Sequence, residues 1–177
     1  QGNKATCSFS ITVLDPVVPT ITCPASTTVT TDIGECDAAV SYAFPYSGDN
    51  CPGFVLTKTS GPNSGEEFPL GSTSVSFRVT DPSGNSVTCA FTVTVEDREQ
   101  PLIAFCPTPV TALTSSDGTG NCSGLIPDRT NALAASDNCG GVSVSQSPAA
   151  GGSFGAAHGD VLTLTFFVSD NAGNTRS

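Results

Sequence analysis

One block of sequence recurs and limits what this chain can become. It reads Gly2-Asn3-Lys4-Ala5-Thr6-Cys7-Ser8-Phe9-Ser10-Ile11-Thr12-Val13-Leu14-Asp15 near the start and Gly84-Asn85-Ser86-Val87-Thr88-Cys89-Ala90-Phe91-Thr92-Val93-Thr94-Val95-Glu96-Asp97 in the middle. Apolar and hydroxyl side chains alternate through both copies, the period of a β-strand with one buried face. The block begins a third time at Gly173-Asn174-Thr175-Arg176-Ser177. The expectation is that a second domain lacks its last strand and one cysteine, and that residues 1–15 hold a spare copy of both.

The intervening sequence repeats as well. Ile21-Thr22-Cys23-Pro24 matches Ala104-Phe105-Cys106-Pro107, and Asp49-Asn50-Cys51 matches Asp137-Asn138-Cys139. Asp32-Ile33-Gly34-Glu35-Cys36 matches Asp117-Gly118 through Cys122, with a small insertion. Val79-Thr80-Asp81-Pro82-Ser83-Gly84-Asn85 matches Val168-Ser169-Asp170-Asn171-Ala172-Gly173-Asn174. Such a period signals tandem units, here a donor strand at 1–15, one domain at 16–97 and a second at 98–177. Ser74–Val79 and Ala90–Val95 alternate in polarity, turn residues punctuate the chain, and no segment holds a capped 3.6-residue period. The expected fold class is all-β: two tandem immunoglobulin-like β-sandwiches, the second completed by a strand from a neighbouring subunit or repeat.

Charge and cysteine content exclude several functions. The net charge is −10 with only six Lys and Arg, so the chain has no footprint for nucleic-acid phosphates. No apolar run reaches the about 18 residues that a membrane span needs. Gln1 is followed by neither a charged nor an apolar leader region, which reads as a mature, processed or excerpted chain. The 8 cysteines lack the Cys-x-x-Cys spacing of zinc sites, and the single histidine, His158, has no partner motif. Disulfides and an extracellular compartment, secreted or at the cell surface, follow. Four cysteines in one domain still allow three pairings. No nucleophile–base pattern appears, so an enzyme is not expected.

Taken in order, Pro19-x-Ile21-x-Cys23-Pro24, Asp32-x-Gly34-x-Cys36, Asp49-Asn50-Cys51, Phe68-Pro69-x-Gly71 and Thr80-Asp81-x-x-Gly84-Asn85-x-x-x-Cys89-x-Phe91-x-Val93-x-Val95-x-Asp97 resemble the hyalin repeat, or HYR, family of immunoglobulin-like extracellular modules. The second domain lacks a clean Phe-Pro-x-Gly element. The resemblance implies adhesion and extracellular architecture rather than catalysis. It also implies the bridge Cys23–Cys89, leaving Cys36–Cys51 and, by the same logic, Cys122–Cys139. Cys7 and Cys106 then remain. A domain at least ~25 Å long separates their expected positions, and residues 15–20 span at most ~20 Å. The linker Glu96-Asp97-Arg98-Glu99-Gln100-Pro101 favours an extended joint. An intersubunit Cys7–Cys106 bridge is therefore expected.

These readings combine into a mechanism. Residues Thr6 to Leu14, with Phe9, Ile11 and Val13 facing inward, fill the open edge of a neighbour's second domain. The contact is head-to-tail and propagates into a filament of self-associated copies. Two alternatives stand beside it: a fragment of a long tandem-HYR cell-surface adhesin, and a carbohydrate-binding accessory module. The latter has only Tyr42 and Tyr46, with no Trp, to offer to glycans or another cell-surface partner. Asp97, Glu99, Asp137, Asn138 and Asp170 form a candidate Ca²⁺ set of hard oxygen donors. The same Asp-Asn and Asp-x-x-Gly-Asn strings also build Asx turns without any metal. Asn121-Cys122-Ser123 is the one N-glycosylation sequon, with Asn121 as its acceptor.

Overall fold

The computed structural model describes residues 2–111, 122–155 and 160–177. Among these the regular elements are strands and one short turn of helix. In chain order the strands are β1 (Thr20–Thr22), β2 (Thr27–Thr30), β3 (Asp37–Ala39), β4 (Tyr46–Gly48), β5 (Val55–Ser60), β6 (Glu67–Pro69), β7 (Gly71–Thr80) and β8 (Ser86–Glu96). They continue as β9 (Leu102–Phe105), β10 (Ser123–Leu125), β11 (Ala134–Ser136), β12 (Ser143–Ser147), β13 (Ser153–Gly155), β14 (Thr165–Ser169) and β15 (Thr175–Arg176). A 3-10 turn at Thr130–Ala132 precedes β11. The chain is all-β, as its alternating pattern predicts.

Two compact units divide it. One takes in Gln1–Thr27, Val40–Glu66 and Ser72–Val93, and the other Thr28–Ala39, Glu67–Gly71 and Thr94–Ser177. The units interleave along the chain, whereas the sequence period divides it at residue 97.

The longest strands are β7 and β8, of 10 and 11 residues, at the centre of a sheet ordered β2-β8-β7-β5. Val, Phe and Thr suit this pleated surface, where branched and aromatic side chains pack without losing helical rotamers. Their inward positions are closed to solvent: Val75, Phe77 and Val79 on β7, and Phe91, Val93 and Val95 on β8. Each such side chain contributes roughly 1.5–3 kcal/mol when fully removed from water. Tyr42 adds edge-to-face contacts to Phe91 at 5.1 Å and Phe77 at 6.4 Å between ring centroids. Its hydroxyl donates to the Pro62 carbonyl at 2.7 Å, which leaves the polar end satisfied. In the first unit β1 pairs antiparallel with β4 through Ile21↔Ser47.

The other unit is built of shorter pairs. β3 meets β6 through Ala38↔Phe68, β9 meets β11, β10 meets β13, and β12-β14-β15 form a three-stranded sheet. Ala38, Phe68, Pro101, Ile126 and Val168, with Val95 of β8, are its buried apolar groups, while Phe167 stays 47% exposed.

The expected donor strand is not a strand in this chain. Residues 2–19 carry no strand assignment. The reason is physical: an isolated β-segment gains nothing from its own backbone and requires a partner edge to form ladder hydrogen bonds.

Candidate functional site

Two kinds of feature lie outside the packed core: acidic loop clusters and cysteines. The acidic clusters form at three points of the repeat, namely the aspartate ending the long strand, the Asp-Asn-Cys turn and the Asp-x-x-Gly-Asn turn.

Asp97 follows β8, Asp137 follows β11, and Asp170 follows β14. Each offers a carboxylate oxygen, and the three oxygens lie within 4.8 Å of one another. The loops fix these positions through Asx-type bonds, in which a short acidic side chain accepts from backbone two to four residues on. Asp97 Oδ1 accepts the Glu99 N–H at 3.0 Å, and Asp137 Oδ2 accepts the Cys139 N–H at 2.9 Å. Asp170 accepts the Gly173 and Asn174 N–H groups at 2.7 and 2.8 Å and the Asn174 side-chain amide at 2.8 Å. Gly173 closes this turn with φ of 94°, a region that suits glycine.

Two oxygens of this cluster are left over. Asp97 Oδ2 and Asp137 Oδ1 are shut off from solvent and accept no hydrogen bond. Asp97 itself is only 7% exposed. Burial pushes its carboxyl above the usual range, the Glu99 N–H opposes that, and the charges of Asp137 and Asp170 add to it. Burial also raises Asp170, but its hydrogen bonds from Asn174 and Gly173 outweigh this and hold it below the usual value. The nearby Arg98 pairs with Glu96 at 2.7 Å.

Of the five residues expected to share this site, Asp97, Asp137 and Asp170 come together. Glu99 instead accepts the Gly34 N–H at 3.0 and 3.2 Å. Asn138 donates its amide to the Glu35 carbonyl at 2.6 Å.

Sequence reasoning missed a second cluster, Asp15, Asp49 and Asp81, whose carboxylate oxygens likewise lie within 4.8 Å of one another. It repeats most of the first cluster's bonds, although the Gly84 N–H donates to the Asp81 carbonyl where the Gly173 N–H donates to the Asp170 carboxylate. Val17 N–H donates to Asp15 Oδ1 at 3.0 Å, Cys51 N–H to Asp49 Oδ2 at 3.1 Å, and Asn85 N–H and amide to Asp81 at 2.8 Å each. Asp49 Oδ1 is buried without a partner, as Asp137 Oδ1 is. The signal was available, because Asp15, Asp49 and Asp81 align with Asp97, Asp137 and Asp170 in the repeat. The clusters differ at their first member. Asp15 also accepts from the Asn50 amide at 3.3 Å, and the Cys51 thiol foremost, with the Val17 N–H, holds its carboxyl below the usual value.

Among the cysteines, Cys23 is bonded to Cys89, with 5.8 Å between Cα atoms. Cys36 is bonded to Cys139, not to Cys51. This departs from both expected pairs, Cys36–Cys51 and Cys122–Cys139. The reason is tertiary: the Asp32–Cys36 turn is drawn to the Asp137–Cys139 turn, where the Asn138 amide reaches the Glu35 carbonyl. Cys51 keeps its thiol, and its hydrogen bond to Asp15, with burial, raises it above the usual thiol range. Cys7, Cys106 and Cys122 are exposed free thiols. No Cys7–Cys106 bond exists within the single chain.

Of the expected donor-strand residues, Thr6 is exposed, and Phe9, Ile11 and Val13 are 84%, 78% and 89% exposed. Tyr46 is 80% exposed on β4 and Tyr42 is packed in the core. Asn121 and His158 lie outside the described residues. No helix of the described residues is long and apolar enough to cross a membrane.

An all-β chain of repeated strand blocks, disulfide-bonded and with acidic turns at equivalent positions, defines a class of repeat module. Residues 14–95 match the model of the HYR domain, and this stretch of the chain belongs to that family. It is 30% identical over 182 residues to hyalin of Strongylocentrotus purpuratus, a match covering 99% of this chain and 14% of that protein. It is 33% identical over 180 residues to hyalin of Lytechinus variegatus, covering 98% of this chain and 32% of that protein. A third relative, the sushi, von Willebrand factor type A, EGF and pentraxin domain-containing protein 1 of Mus musculus, is 33% identical over 125 residues, 70% of this chain and 3% of that protein. The chain thus spans about a third or less of the length of these relatives.

Proposed function

We propose that this chain is an extracellular structural or adhesive protein of two tandem immunoglobulin-like sandwiches, whose copies join head-to-tail by strand addition. The proposal rests on one contrast. Phe91, Val93 and Val95 of β8 are 4%, 0% and 2% exposed, while Phe9, Ile11 and Val13, their counterparts in the repeated block, stand almost fully in solvent. One sequence pattern occupies two environments, and the exposed copy has the composition of the buried one.

The acceptor follows from the same repeat. β8 lies beside β7, and β14 is the counterpart of β7. β14 carries at that edge only the two residues of β15, paired at Val168↔Arg176 and Ser169↔Thr175. Residues Thr6–Leu14 of a second copy extend this edge as β8 extends along β7. Their backbone groups gain ladder bonds, and each of the three apolar side chains gains roughly 1.5–3 kcal/mol on burial. The two surfaces differ, so the contact propagates rather than closing a dimer.

Cys7 and Cys106 correspond to Cys89 and Cys23, which are bonded in the first repeat. With the donor strand seated, Cys7 of one copy faces Cys106 of the next. Disulfides persist in oxidising compartments, where thiol oxidants remove two electrons and two protons from this pair and leave the filament covalently locked. Membership of the HYR family supports the adhesive, non-catalytic class.

The greater length of both hyalins favours a second reading, in which the same strand addition links successive repeats of one longer polypeptide. Deletion of residues 1–14 tests the first reading by electron microscopy and sedimentation. The full chain is expected to form linear polymers that the deletion abolishes and that a peptide of residues 2–15 caps. Polymers surviving the deletion, or a full chain that stays monomeric, would overturn it.

A further inference from the structure

We propose that Asp97, Asp137 and Asp170 form a binding site for a hard divalent cation, with calcium the best match. This proposal stands independently of strand addition.

The chemistry comes from the donor set. Three carboxylates converge to within 4.8 Å, and two of their oxygens, Asp97 Oδ2 and Asp137 Oδ1, are buried and accept no hydrogen bond. A buried carboxylate oxygen without a donor is costly, and several together repel. Every other oxygen of Asp97 and Asp137 is held by a backbone N–H. In both residues the loop satisfies one carboxylate oxygen and leaves the other free, the division of labour in which a second shell orients metal ligands. Asp97 is 93% removed from solvent by its 7% exposure, so water does not supply the missing donors to it as it does on an open acidic surface.

The site selects by hardness and charge. It holds oxygen donors only, with no imidazole among the described residues near it and its adjacent cysteine, Cys139, consumed in a disulfide. Oxygen-only sites suit calcium, magnesium or manganese rather than zinc or copper. Calcium takes 6–8 oxygens in flexible geometry. Three residues from three separate loops, with water filling the remaining positions, suit that better than the strict octahedron of magnesium. A site so assembled belongs to the weak range of extracellular modules, on the order of 0.1–1 mM.

The recurrence at Asp15, Asp49 and Asp81 argues that the loop arrangement is a built feature and not an accident of one turn. There the first aspartate has acquired the Asn50 amide and Cys51 thiol as donors. At Asp97 the bond from the Glu99 N–H leaves Oδ2 without a donor, and the cation takes that place.

The test is calorimetric titration of the full chain with CaCl₂, alongside Asp137→Asn and Asp97→Asn. Both substitutions keep an oxygen for the backbone N–H and place an amide where the free oxygen stood. Circular dichroism checks that each variant is folded. Wild type is expected to take up calcium at millimolar concentration with a rise in melting temperature. Either variant should bind one ion fewer per chain, or at least about tenfold more weakly. In chelator the variants should melt no lower than wild type, because a repulsive charge has been removed; a merely structural carboxylate would show a lower melting temperature there. No uptake by wild type at about 5 mM, well above the weak range, or unchanged uptake in both variants, would overturn the proposal.

Discussion

Phe9 and Phe91 hold the same place in a repeated strand block, yet Phe91 is 4% exposed on β8 and Phe9 is 84% exposed. The difference is one of partners. Phe91 has the β7 ladder beside it and Tyr42 against its ring at 5.1 Å, while Phe9 has neither. Replacing each with alanine should therefore separate folding from assembly. Phe91→Ala is expected to cost about 3–5 kcal/mol in denaturant unfolding. Phe9→Ala should leave the stability of the dissociated chain unchanged and weaken polymer formation, read by sedimentation.

The Cys23–Cys89 bridge closes a loop with a sequence separation of 66. Chain-entropy reasoning assigns such a loop about 4 kcal/mol of stabilisation. The double variant Cys23→Ser with Cys89→Ser should lose most of that in equilibrium unfolding. A change within error of zero would place the stability of this unit in its β7–β8 core alone.

Two glycines with positive φ should respond differently to the same change. Gly84 has φ of 92° and open space where a Cβ would stand, so Gly84→Ala meets only backbone strain, about 1–2 kcal/mol. Gly61 has φ of 84°, and a Cβ there would meet the Ser74 carbonyl at 2.8 Å and Val75 Cγ2 at 2.9 Å. Gly61→Ala is expected to cost clearly more, measured as a difference in denaturation midpoints.

Glu66 carries an acid-linked contribution. Hydrogen bonds from the Asn63 N–H at 2.6 Å and the Asn63 amide at 2.8 Å hold its carboxyl below the ordinary 4.5. A carboxylate whose folded value is depressed stabilises the fold above its unfolded value and loses that contribution as pH falls through the folded one. Glu66→Gln should therefore be less stable than wild type at neutral pH, with the gap closing below pH 4.5. A gap that stays constant down to pH 3 would contradict this.

Local features were legible where the chain announces them locally. The alternation through Val75, Phe77 and Val79 and through Phe91, Val93 and Val95 marks two strands, which the structure extends to Gly71–Thr80 and Ser86–Glu96 by pairing their polar ends. The Asp-x-x-Gly-Asn strings mark turns, and Gly84 and Gly173 take the positive φ those turns require. What sequence could not show depends on which loops meet. Cys36 bonds Cys139 because two turns 103 residues apart in the chain lie together, and no spacing rule encodes that. Glu99 and Asn138 looked like cation ligands by composition, but the Gly34 N–H and the Glu35 carbonyl engage them instead. Asp15, Asp49 and Asp81 were the reverse case: their alignment with Asp97, Asp137 and Asp170 in the repeat was legible, and in space they converge as those do.

The most direct test of head-to-tail strand addition is denaturing electrophoresis of the purified protein with and without reductant. Strand addition locked by Cys7 and Cys106 predicts a ladder at multiples of the chain mass that collapses to one band on reduction and is absent in Cys7→Ser. A single band at the mass of one chain in both lanes, or one very large band indifferent to reductant, would contradict it.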